Sequence, residues 1–291
     1  MKKKQEMGLI LEGGAMRGIY TAGVLDVFLE HALTFDAVFG VSAGAIHGCS
    51  FVSQQCGRSI RYYRKYCNDK RFLSFSNLLR TGDLVDEKFC YHDIPQRLDP
   101  YDNETFLKSK TKFYSVATNL ETGAAEYIHI TDMFHQIDAM RASASMPYVS
   151  RIVNYQGKKL LDGGCSDSIP VAAAKNMGYQ KRVVVLTRQE GYEKGPENVK
   201  LAKIMYRKYP HFIETLSKRH LVYNQTQQWI REEEKTGELF VIRPSKALTI
   251  GRISHDVNEI QQTYDLGRKD AQDKMPELFR WLKEEGAIAD V

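Results

Sequence analysis

The first fifty residues alternate apolar runs, glycine-rich loops and helix-like segments, and this alternation constrains the fold more than any other feature. Residues 7–11 form an apolar run that ends in the loop 12–18, after which apolar residues recur at helical spacing. A second apolar run at 35–39 ends in the loop 40–44, and the small residues at 45–52 predict another buried helix. Successive strand, loop and helix units predict a parallel sheet with right-handed crossovers.

The rest of the chain continues this alternation without an internal repeat or a linker rich in proline, glycine or serine. We therefore predict one α/β domain over residues 1–291, a three-layer α/β/α sandwich with a mostly parallel central sheet. Its motif-bearing core covers about 7–190, and about 191–291 is mostly helical. Further strands are predicted at 113–118, 126–130, 151–155, 158–161, 182–187 and 239–243. Helices are predicted at 137–145, at 199–234 with a break at Pro210, and from the end of the strand 239–243 to the C-terminus.

Composition narrows the class of protein. The 291 residues carry 41 basic and 36 acidic side chains, a net charge of +5 that is too small and dispersed to indicate nucleic-acid binding. No apolar run approaches the roughly 20 residues of a membrane span, and the N-terminus lacks the apolar core of a signal peptide. The five cysteines, an odd number without CxxC or metal-ligand spacing, indicate a reducing cytoplasm and no metal site.

A serine stands in the second glycine loop, whose sequence GxSxG comprises Gly40, Ser42 and Gly44 between a predicted strand and a predicted helix. Glycines on both sides allow a tight turn that raises the serine oxygen above the end of the strand. The N-terminus of the following helix then points toward an oxyanion that forms there. The pattern alone is weak, but its position between strand and helix makes Ser42 a candidate nucleophile.

The first glycine loop, residues 13–18, lies between a strand and a helix at the same edge of the predicted sheet. A phosphate-binding P-loop would require a lysine and a hydroxyl residue where Ile19 and Tyr20 stand. A dinucleotide fingerprint would require different glycine spacing and an acidic residue after the next strand, which ends instead at Gly40. The remaining interpretation is an oxyanion hole that serves Ser42.

An aspartate follows the predicted strand 158–161 and is itself followed by Gly163 and Gly164. A serine hydroxyl is a poor nucleophile until a neighbouring group accepts its proton. Asp162 is therefore a candidate general base, although the same sequence is common in simple turns.

These three loops, in this order and at these separations, resemble the patatin-like phospholipase family, whose motifs are GGGxRG, GxSxG and DG[GA]. The resemblance covers about residues 7–190. It implies the patatin-like α/β/α fold and a serine esterase that hydrolyses acyl esters of lipids through a serine–aspartate catalytic dyad, without a cofactor. By this resemblance Ser42 is the nucleophile and Asp162 its base.

The resemblance also assigns the first loop. The backbone at Gly13, Gly14 and Ala15 would form the oxyanion hole, with Arg17 fixing the loop. The motif glycines are Gly18, Gly40, Gly44, Gly163 and Gly164. The chain departs from the family at Ala15, where the motif has its third glycine. If that position requires a positive φ, alanine costs about 1 kcal/mol.

A Ser-His-Asp triad is the alternative mechanism. His47 lies five residues after Ser42, about 140° around the same predicted helix, so it cannot readily face the serine oxygen. His211, His220 and His255 lie in charged, helix-like surroundings without a glycine loop, which is typical of surface or capping histidines. The dyad is therefore preferred.

Two segments bear on partners. Residues 58–72 and 200–220 each combine six basic residues and one acidic residue with interleaved aromatics. This mixture suits peripheral contact with an anionic lipid surface, at the inner membrane face of the cytoplasm, but equally suits solvated helices whose aromatics pack in the core. Single-stranded nucleic acid is disfavoured because no RNA-binding motif accompanies the segments. Oligomeric state, acyl length and headgroup are not encoded in any recognisable pattern.

A binding protein is the second functional class. A lipid- or acyl-binding regulator could keep this fold while turning over little substrate. It would, however, have no chemical need to keep both Ser42 and Asp162. Covalent labelling by a fluorophosphonate distinguishes the two classes.

Overall fold

A computed structural model describes residues 6–284 as a central sheet flanked by helices. The strands are β1 (Met7–Leu11), β2 (Ala37–Val41), β3 (Lys112–Asn119), β4 (Ala125–Ile130), β5 (Val153–Tyr155), β6 (Lys158–Asp162), β7 (Lys181–Val185) and β8 (Leu239–Ile242). The α-helices are α1 (Gly18–Glu30), α2 (Ala43–Val52), α3 (Arg58–Tyr66), α4 (Phe75–Thr81), α5 (Asn103–Lys108), α6 (Ile137–Ser143), α7 (Val171–Asn176), α8 (Lys200–Met205), α9 (Pro210–Lys235) and α10 (Val257–Glu284). Short 3₁₀ turns cover Ala15–Arg17 and Gly163–Cys165, and a π-helix covers Phe89–Leu98.

The sheet is mostly parallel, as the sequence predicted. β1 pairs in parallel with β2 and β7, β2 with β3, and β7 with β8. β4 and β6 both pair antiparallel with β3, and β5 continues outward from β6. Because β1 and β2 run in parallel, their loops meet at one edge of the sheet, beyond the carboxyl ends of the strands.

Alternate residues of β1 show why the sheet lies between two helical layers. Leu9 and Leu11 pack into a cluster with residues of α1, α2 and α10, whereas Ile10 packs into a second cluster with residues of α7 and α9. β1 is buried on both faces, as expected for a strand at the centre of a parallel sheet. The predicted α/β/α arrangement is confirmed.

The last helix crosses the first at close range. A Cβ atom at Gly267 would lie 2.1 Å from the carbonyl oxygen of Tyr20, so the two backbones approach within the space of a side chain. The Tyr20 hydroxyl donates a hydrogen bond of 3.1 Å to Asp270, and the Tyr264 hydroxyl one of 2.7 Å to Asp26. β8 extends the sheet beside β7, so the C-terminal part packs against both the sheet and α1.

Two prolines bear on the helices of the C-terminal part. The break at Pro210 is confirmed, with proline as the first residue of α9, where its missing N–H costs nothing. The C-terminal region from 257 to 284 is one helix that continues through Pro276, and the last predicted helical residues, 285–291, lie outside the described part of the chain. Among residues 6–284, no helix combines the length and apolar character that a bilayer crossing requires.

Candidate active site

The register of the sheet brings Ser42 and Asp162 together across 120 residues of sequence. Val41, the last residue of β2, pairs with Val116 of β3, and the next residue of β3, Ala117, pairs with Asp162 at the end of β6. Both candidate residues therefore leave the sheet at the same place. The Ser42 hydroxyl donates a hydrogen bond of 2.6 Å to Oδ2 of Asp162.

Ser42 occupies a strained turn between β2 and α2. Its φ is 54° and its ψ is −121°, a conformation that costs a residue with a side chain about 1–3 kcal/mol. The turn is possible because Gly40 and Gly44 leave no side chains in the way. A Cβ atom at Gly40 would lie 2.5 Å from Cα of Ala45, and one at Gly44 would lie 2.5 Å from the carbonyl oxygen of Leu11.

A side chain on α6 holds the Ser42 backbone in this turn. The Ser42 N–H donates a hydrogen bond of 2.9 Å to Oγ of Ser143, the last residue of α6. This N–H points toward Ser143 and is therefore not available to a ligand. Sequence patterns gave no indication of Ser143, because it lies about a hundred residues away in an ordinary helix.

Asp162 is buried, with hydrogen bonds to both of its carboxylate oxygens. Oδ2 accepts from Ser42, and Oδ1 accepts from the N–H of Gly164 at 2.7 Å. Burial raises the pKa of the Asp162 carboxyl, and the Ser42 hydroxyl and the nearby Arg219 offset part of this rise. A buried carboxylate with a raised pKa is a stronger base than an exposed one, which suits removal of a proton from a hydroxyl.

The first glycine loop packs beside Ser42 and presents two free backbone N–H groups. The N–H of Gly13 donates to the carbonyl oxygen of Ser168 at 3.4 Å. One of the three N–H groups expected to form the oxyanion hole is therefore already in a hydrogen bond within the protein. Within the described residues, no acceptor bonds the N–H of Gly14, and Ala15 begins a 3₁₀ turn whose first N–H lacks an acceptor within that turn. Ala15 has a φ of 50°, the left-handed conformation in which the family motif has glycine.

The other motif residues act as close packing points around the two loops. Gly18 begins α1 against Ala43, where an added Cβ would lie 2.5 Å from the alanine Cβ. Gly163 packs against the carbonyl oxygen of Val116, at 2.2 Å from an added Cβ, and Gly164 donates to Asp162 as described above. Arg17 is half-buried in the loop, and its Nε has no hydrogen-bond partner among the described residues.

No histidine in the described part of the chain hydrogen-bonds to Ser42 or Asp162, so the alternative triad is not assembled. His47 is buried, and its Nδ1 lies 3.0 Å from the hydroxyl of Ser59. Burial, together with the nearby Arg58, lowers the pKa of His47 to about 3. His255 is exposed and bonds to a backbone carbonyl through its Nδ1, and His211 is also exposed.

Cationic side chains that no motif contains surround this edge of the sheet. Arg252 is exposed and lines the same cavity as Ser42 and Ala15. Burial lowers the pKa of Arg17, and the charges of Arg188 and Arg252 lower it further, so these three cations stand close together. Among residues 6–284, none of the three forms an ion pair with a carboxylate; sequence reasoning missed Arg188 and Arg252, which lie far from the glycine loops.

Two more cations lie on the Asp162 side. Arg219 of α9 donates to the carbonyl oxygen of Gly164 at 2.5 Å and pairs with Glu197 at 2.6 Å. Burial lowers the pKa of Lys194 to about 8, and the nearby positive charge of Arg219 contributes. The site as a whole is therefore electropositive, which favours a negatively charged ligand or a charge that develops during reaction.

An apolar cavity of about 170 Å³ begins at Ser42. α2, α3, the π-helix and α6 form its walls. Its lining includes Ala43, Ile46 and Cys49 of α2, Tyr62 and Tyr63 of α3, and Met140 of α6. A cavity of this kind can hold the hydrocarbon part of a ligand whose polar end lies at Ser42.

The two basic, aromatic segments differ from interfacial helices in where their aromatics lie. In the first segment Tyr62, Tyr63, Tyr66 and Phe72 are buried, so the interpretation that they pack in the core applies there. In the second segment Tyr206 and Phe212 are buried as well, but the aliphatic side chains of Leu201, Ile204 and Met205 are exposed. The spacing of the aromatic residues gave no indication of these exposed side chains.

Two family models and one relative match large parts of this chain. The family model described as patatin-like phospholipase matches residues 9–175, and a model described as a domain of unknown function (DUF6363) matches residues 209–283. The uncharacterized protein YjjU of Escherichia coli strain K12 is 28% identical over 276 residues, which cover 90% of this chain and 75% of that protein.

Two further similarities have a shorter match or a lower sequence identity. The lysophospholipase NTE1 of Meyerozyma guilliermondii is 29% identical over 185 residues, which cover 62% of this chain but 12% of that protein. The crystal structure of VipD from Legionella pneumophila has a TM-score of 0.47 and 12% identity, covering 94% of this chain and 67% of that one.

Proposed function

The chain belongs to the patatin-like phospholipase family, and from that premise we propose that it is a serine acyl hydrolase of the lipase and phospholipase A type. In this proposal Ser42 is the nucleophile, Asp162 is the general base, and the substrate is an acyl ester of a lipid. The observation that carries the proposal is the hydrogen bond of 2.6 Å between the Ser42 hydroxyl and the buried Asp162 carboxylate. A serine with a spare structural role has no need of a buried base at this distance.

The proposed reaction has two steps. Asp162 accepts the Ser42 proton as the serine oxygen attacks the ester carbonyl, and the same aspartate then returns that proton to the departing alcohol. A water molecule then gives a proton to Asp162 and attacks the acyl-enzyme; the bond to Ser42 breaks, the fatty acid leaves, and Asp162 returns the proton to the serine oxygen. Each tetrahedral intermediate carries a negative charge on the former carbonyl oxygen.

Backbone N–H groups would stabilise that charge. The free N–H groups of Gly14 and Ala15 lie in the loop beside Ser42, and the N–H of Ala43 stands at the N-terminus of α2 directly after the nucleophile. In this assignment Gly13 is a spacer rather than a donor, since its N–H already bonds to Ser168. Arg17 would support the loop and add positive charge near the oxyanion.

We also propose that the alcohol released from the ester is anionic, such as a lipid headgroup with a phosphate. Arg252 lines the cavity, the charges of Arg188 and Arg252 both act on Arg17, and among residues 6–284 none of the three forms an ion pair with a carboxylate. A phosphate placed there would gain hydrogen bonds to guanidinium groups, which are stronger than those between neutral groups. Arg252→Met should therefore lower kcat/KM for esters with a charged leaving group about tenfold and spare those with a neutral one.

Peripheral contact with a lipid surface is proposed through α8 rather than through the aromatics. Leu201, Ile204 and Met205 are 50%, 71% and 51% exposed, and Lys200 and Lys203 on the same short helix are also exposed. Exposed aliphatic side chains between lysines suit insertion at the surface of an anionic membrane. The proposed location is the cytoplasm, which the free cysteines support, with contact at the inner membrane face.

A vesicle sedimentation assay tests this contact. With vesicles that contain anionic phospholipid, Ile204→Asp should reduce the bound fraction severalfold without changing hydrolysis of a water-soluble ester. Leu107→Asp is the matched control, because Leu107 is a similarly exposed leucine, at 53%, on a different helix, α5. Equal loss of binding in both variants, or none in either, would reject α8 as the contact.

We further propose that residues 1–291 form one domain. The support is the packing of α10 across α1 and the addition of β8 to the sheet, which tie the C-terminal part to the motif-bearing core. A fragment that ends at residue 190 should then fail to fold into an active protein. An active fragment of this length would contradict the proposal.

Hydrolysis of p-nitrophenyl esters tests the proposed chemistry. Ser42→Ala and Asp162→Asn should each lower kcat/KM by about a thousandfold or more, whereas His255→Ala should leave it within twofold. Hydrolysis that persists in Ser42→Ala would reject the nucleophile. If wild-type protein binds acyl esters and hydrolyses none, it is the binding protein that the sequence left open.

A further inference from the structure

The cavity at Ser42 follows one face of α2. Ala43, Ile46 and Cys49 line it, and residues three apart lie on the same side of a helix. The cavity therefore begins beside the nucleophile and runs along the helix axis to the second turn. At a rise of about 1.5 Å per residue, the distance from Ala43 to Cys49 is about 9 Å.

Polar side chains close the cavity at its far end. Arg58 lines the cavity there, with its guanidinium group 5.4 Å from the centre of the Tyr101 ring and 5.2 Å from that of Tyr62. The Tyr101 hydroxyl donates a hydrogen bond of 3.1 Å to the carbonyl oxygen of Cys49. We call Cys49, Arg58, Tyr62 and Tyr101 the floor of the cavity.

Hydrogen bonds and ion pairs fix the floor in place. Arg58 donates to the carbonyl oxygen of Asp99 at 3.0 Å and to the hydroxyl of Ser50 at 3.3 Å. The Asp99 carboxylate lies 3.5 Å from Nε of Arg58 and accepts two hydrogen bonds from Arg61, at 2.8 and 3.0 Å. Because Arg58 is buried, moving it would leave a charge without its partners inside the protein, which is strongly unfavourable.

We propose that this cavity binds the acyl chain of the substrate and that the floor limits it to about eight carbons. The inference rests on the proposed function, since it takes the acyl group to be attached to Ser42. An extended chain advances about 1.2 Å per single bond, as the roughly 3.5 Å of a three-bond residue shows, so about 9 Å holds seven or eight bonds. The enzyme is therefore specific for medium-chain acyl esters.

The volume of the cavity leads to the same length. The cavity measures about 170 Å³, close to the roughly 150 Å³ of an engineered apolar cavity that binds benzene, a six-carbon ligand. An acyl chain of six to eight carbons is of that size. A chain of sixteen carbons would need about twice that space and would have to displace the floor.

Hydrolysis of p-nitrophenyl esters from two to sixteen carbons tests the limit. Each methylene buried should raise kcat/KM about fourfold, since it contributes about 0.8 kcal/mol. The profile should rise to about eight carbons and fall at least tenfold by twelve. A maximum at sixteen carbons overturns the proposed limit but leaves the proposed hydrolase intact, whereas failure to hydrolyse any ester rejects the hydrolase itself.

Substitutions at the floor supply the sharper test. Cys49→Phe fills the far end of the cavity, so the chain length with the highest kcat/KM should fall to four carbons or fewer. Cys56→Phe is the matched control, because Cys56 is exposed and does not line the cavity, and its profile should not change.

A second substitution, at Ile46 between Ala43 and Cys49, keeps the test informative if Cys49→Phe does not fold. Ile46→Phe narrows the cavity between Ala43 and Cys49 and should also move the maximum to shorter chains. Unchanged profiles in folded Cys49→Phe or Ile46→Phe protein would show that the acyl chain lies elsewhere. Hydrolysis of the acetate ester shows in each variant whether the catalytic residues are still in place.

Discussion

Replacement of Ser42 by glycine should make the protein more stable than replacement by alanine. Both variants lose the hydroxyl and its hydrogen bond to Asp162, so their difference isolates the backbone and Cβ. A φ of 54° with a ψ of −121° lies outside the left-handed helical region that a residue with a Cβ can adopt, so the cost is at the upper end of the range, about 3 kcal/mol, and glycine does not incur it. Glycine loses about 0.8 kcal/mol of apolar burial and about 0.8 kcal/mol through the entropy of the unfolded chain. The net gain is about 1 kcal/mol.

Urea unfolding of the two variants, followed by circular dichroism, measures this difference. Ser42→Gly should exceed Ser42→Ala by about 1 kcal/mol in free energy of unfolding, with a thermal midpoint about 2 °C higher. The pair Ser53→Gly and Ser53→Ala is a control, because Ser53 follows α2 with an ordinary φ of −83°, and there alanine should be the more stable. Equal stability of the Ser42 pair, or a more stable alanine, would refute the reasoning that the nucleophile occupies a strained turn.

Three further predictions concern Asp162 and Ala15. Burial raises the pKa of Asp162, so kcat/KM should fall about tenfold per pH unit below that pKa, and a pH profile that stays flat below it would reject the base. A raised pKa means that the folded state holds the proton more tightly, so stability falls as pH rises from the unfolded to the folded pKa. In urea titrations, the stability of Asp162→Asn relative to wild type should therefore be greater at pH 8 than at pH 4, because only the wild type loses stability as Asp162 ionises. Ala15→Gly should leave the free energy of unfolding within about 0.5 kcal/mol of wild type. The β-branched Ala15→Val should lower kcat/KM at least tenfold, because β-branched residues are outliers at a φ of 50°. Equal activity of the two variants would contradict this.

The parts of the site that lie in short glycine loops could be predicted from the sequence. The first two loops each follow a parallel strand of strong apolar character and precede a helix or turn, so their position at the sheet edge follows from the topology of parallel strands. That reasoning predicted where Ser42 and the first loop would be. Asp162 was a candidate because Ser42 needs a base, but only the resemblance to the family paired the two residues, since Asp162 follows an antiparallel strand whose place in the sheet no local pattern indicates.

The remainder of the site depends on contacts between distant segments. Ser143, Arg188 and Arg252 stand far apart in the sequence, and none belongs to a motif. The first basic segment was also ambiguous, because Tyr62 and Tyr63 have the spacing of both an interfacial helix and a core helix. Their burial depends on α2 and the π-helix, which pack against them only in the folded protein.

Reaction with a fluorophosphonate, followed by intact mass and peptide mapping, tests most directly whether Ser42 is an activated nucleophile. The account predicts one adduct on Ser42 in the wild type, no adduct in Ser42→Ala, and an adduct that forms at least a hundredfold more slowly in Asp162→Asn. Absence of an adduct in folded wild-type protein, or an adduct on another serine, would contradict the account.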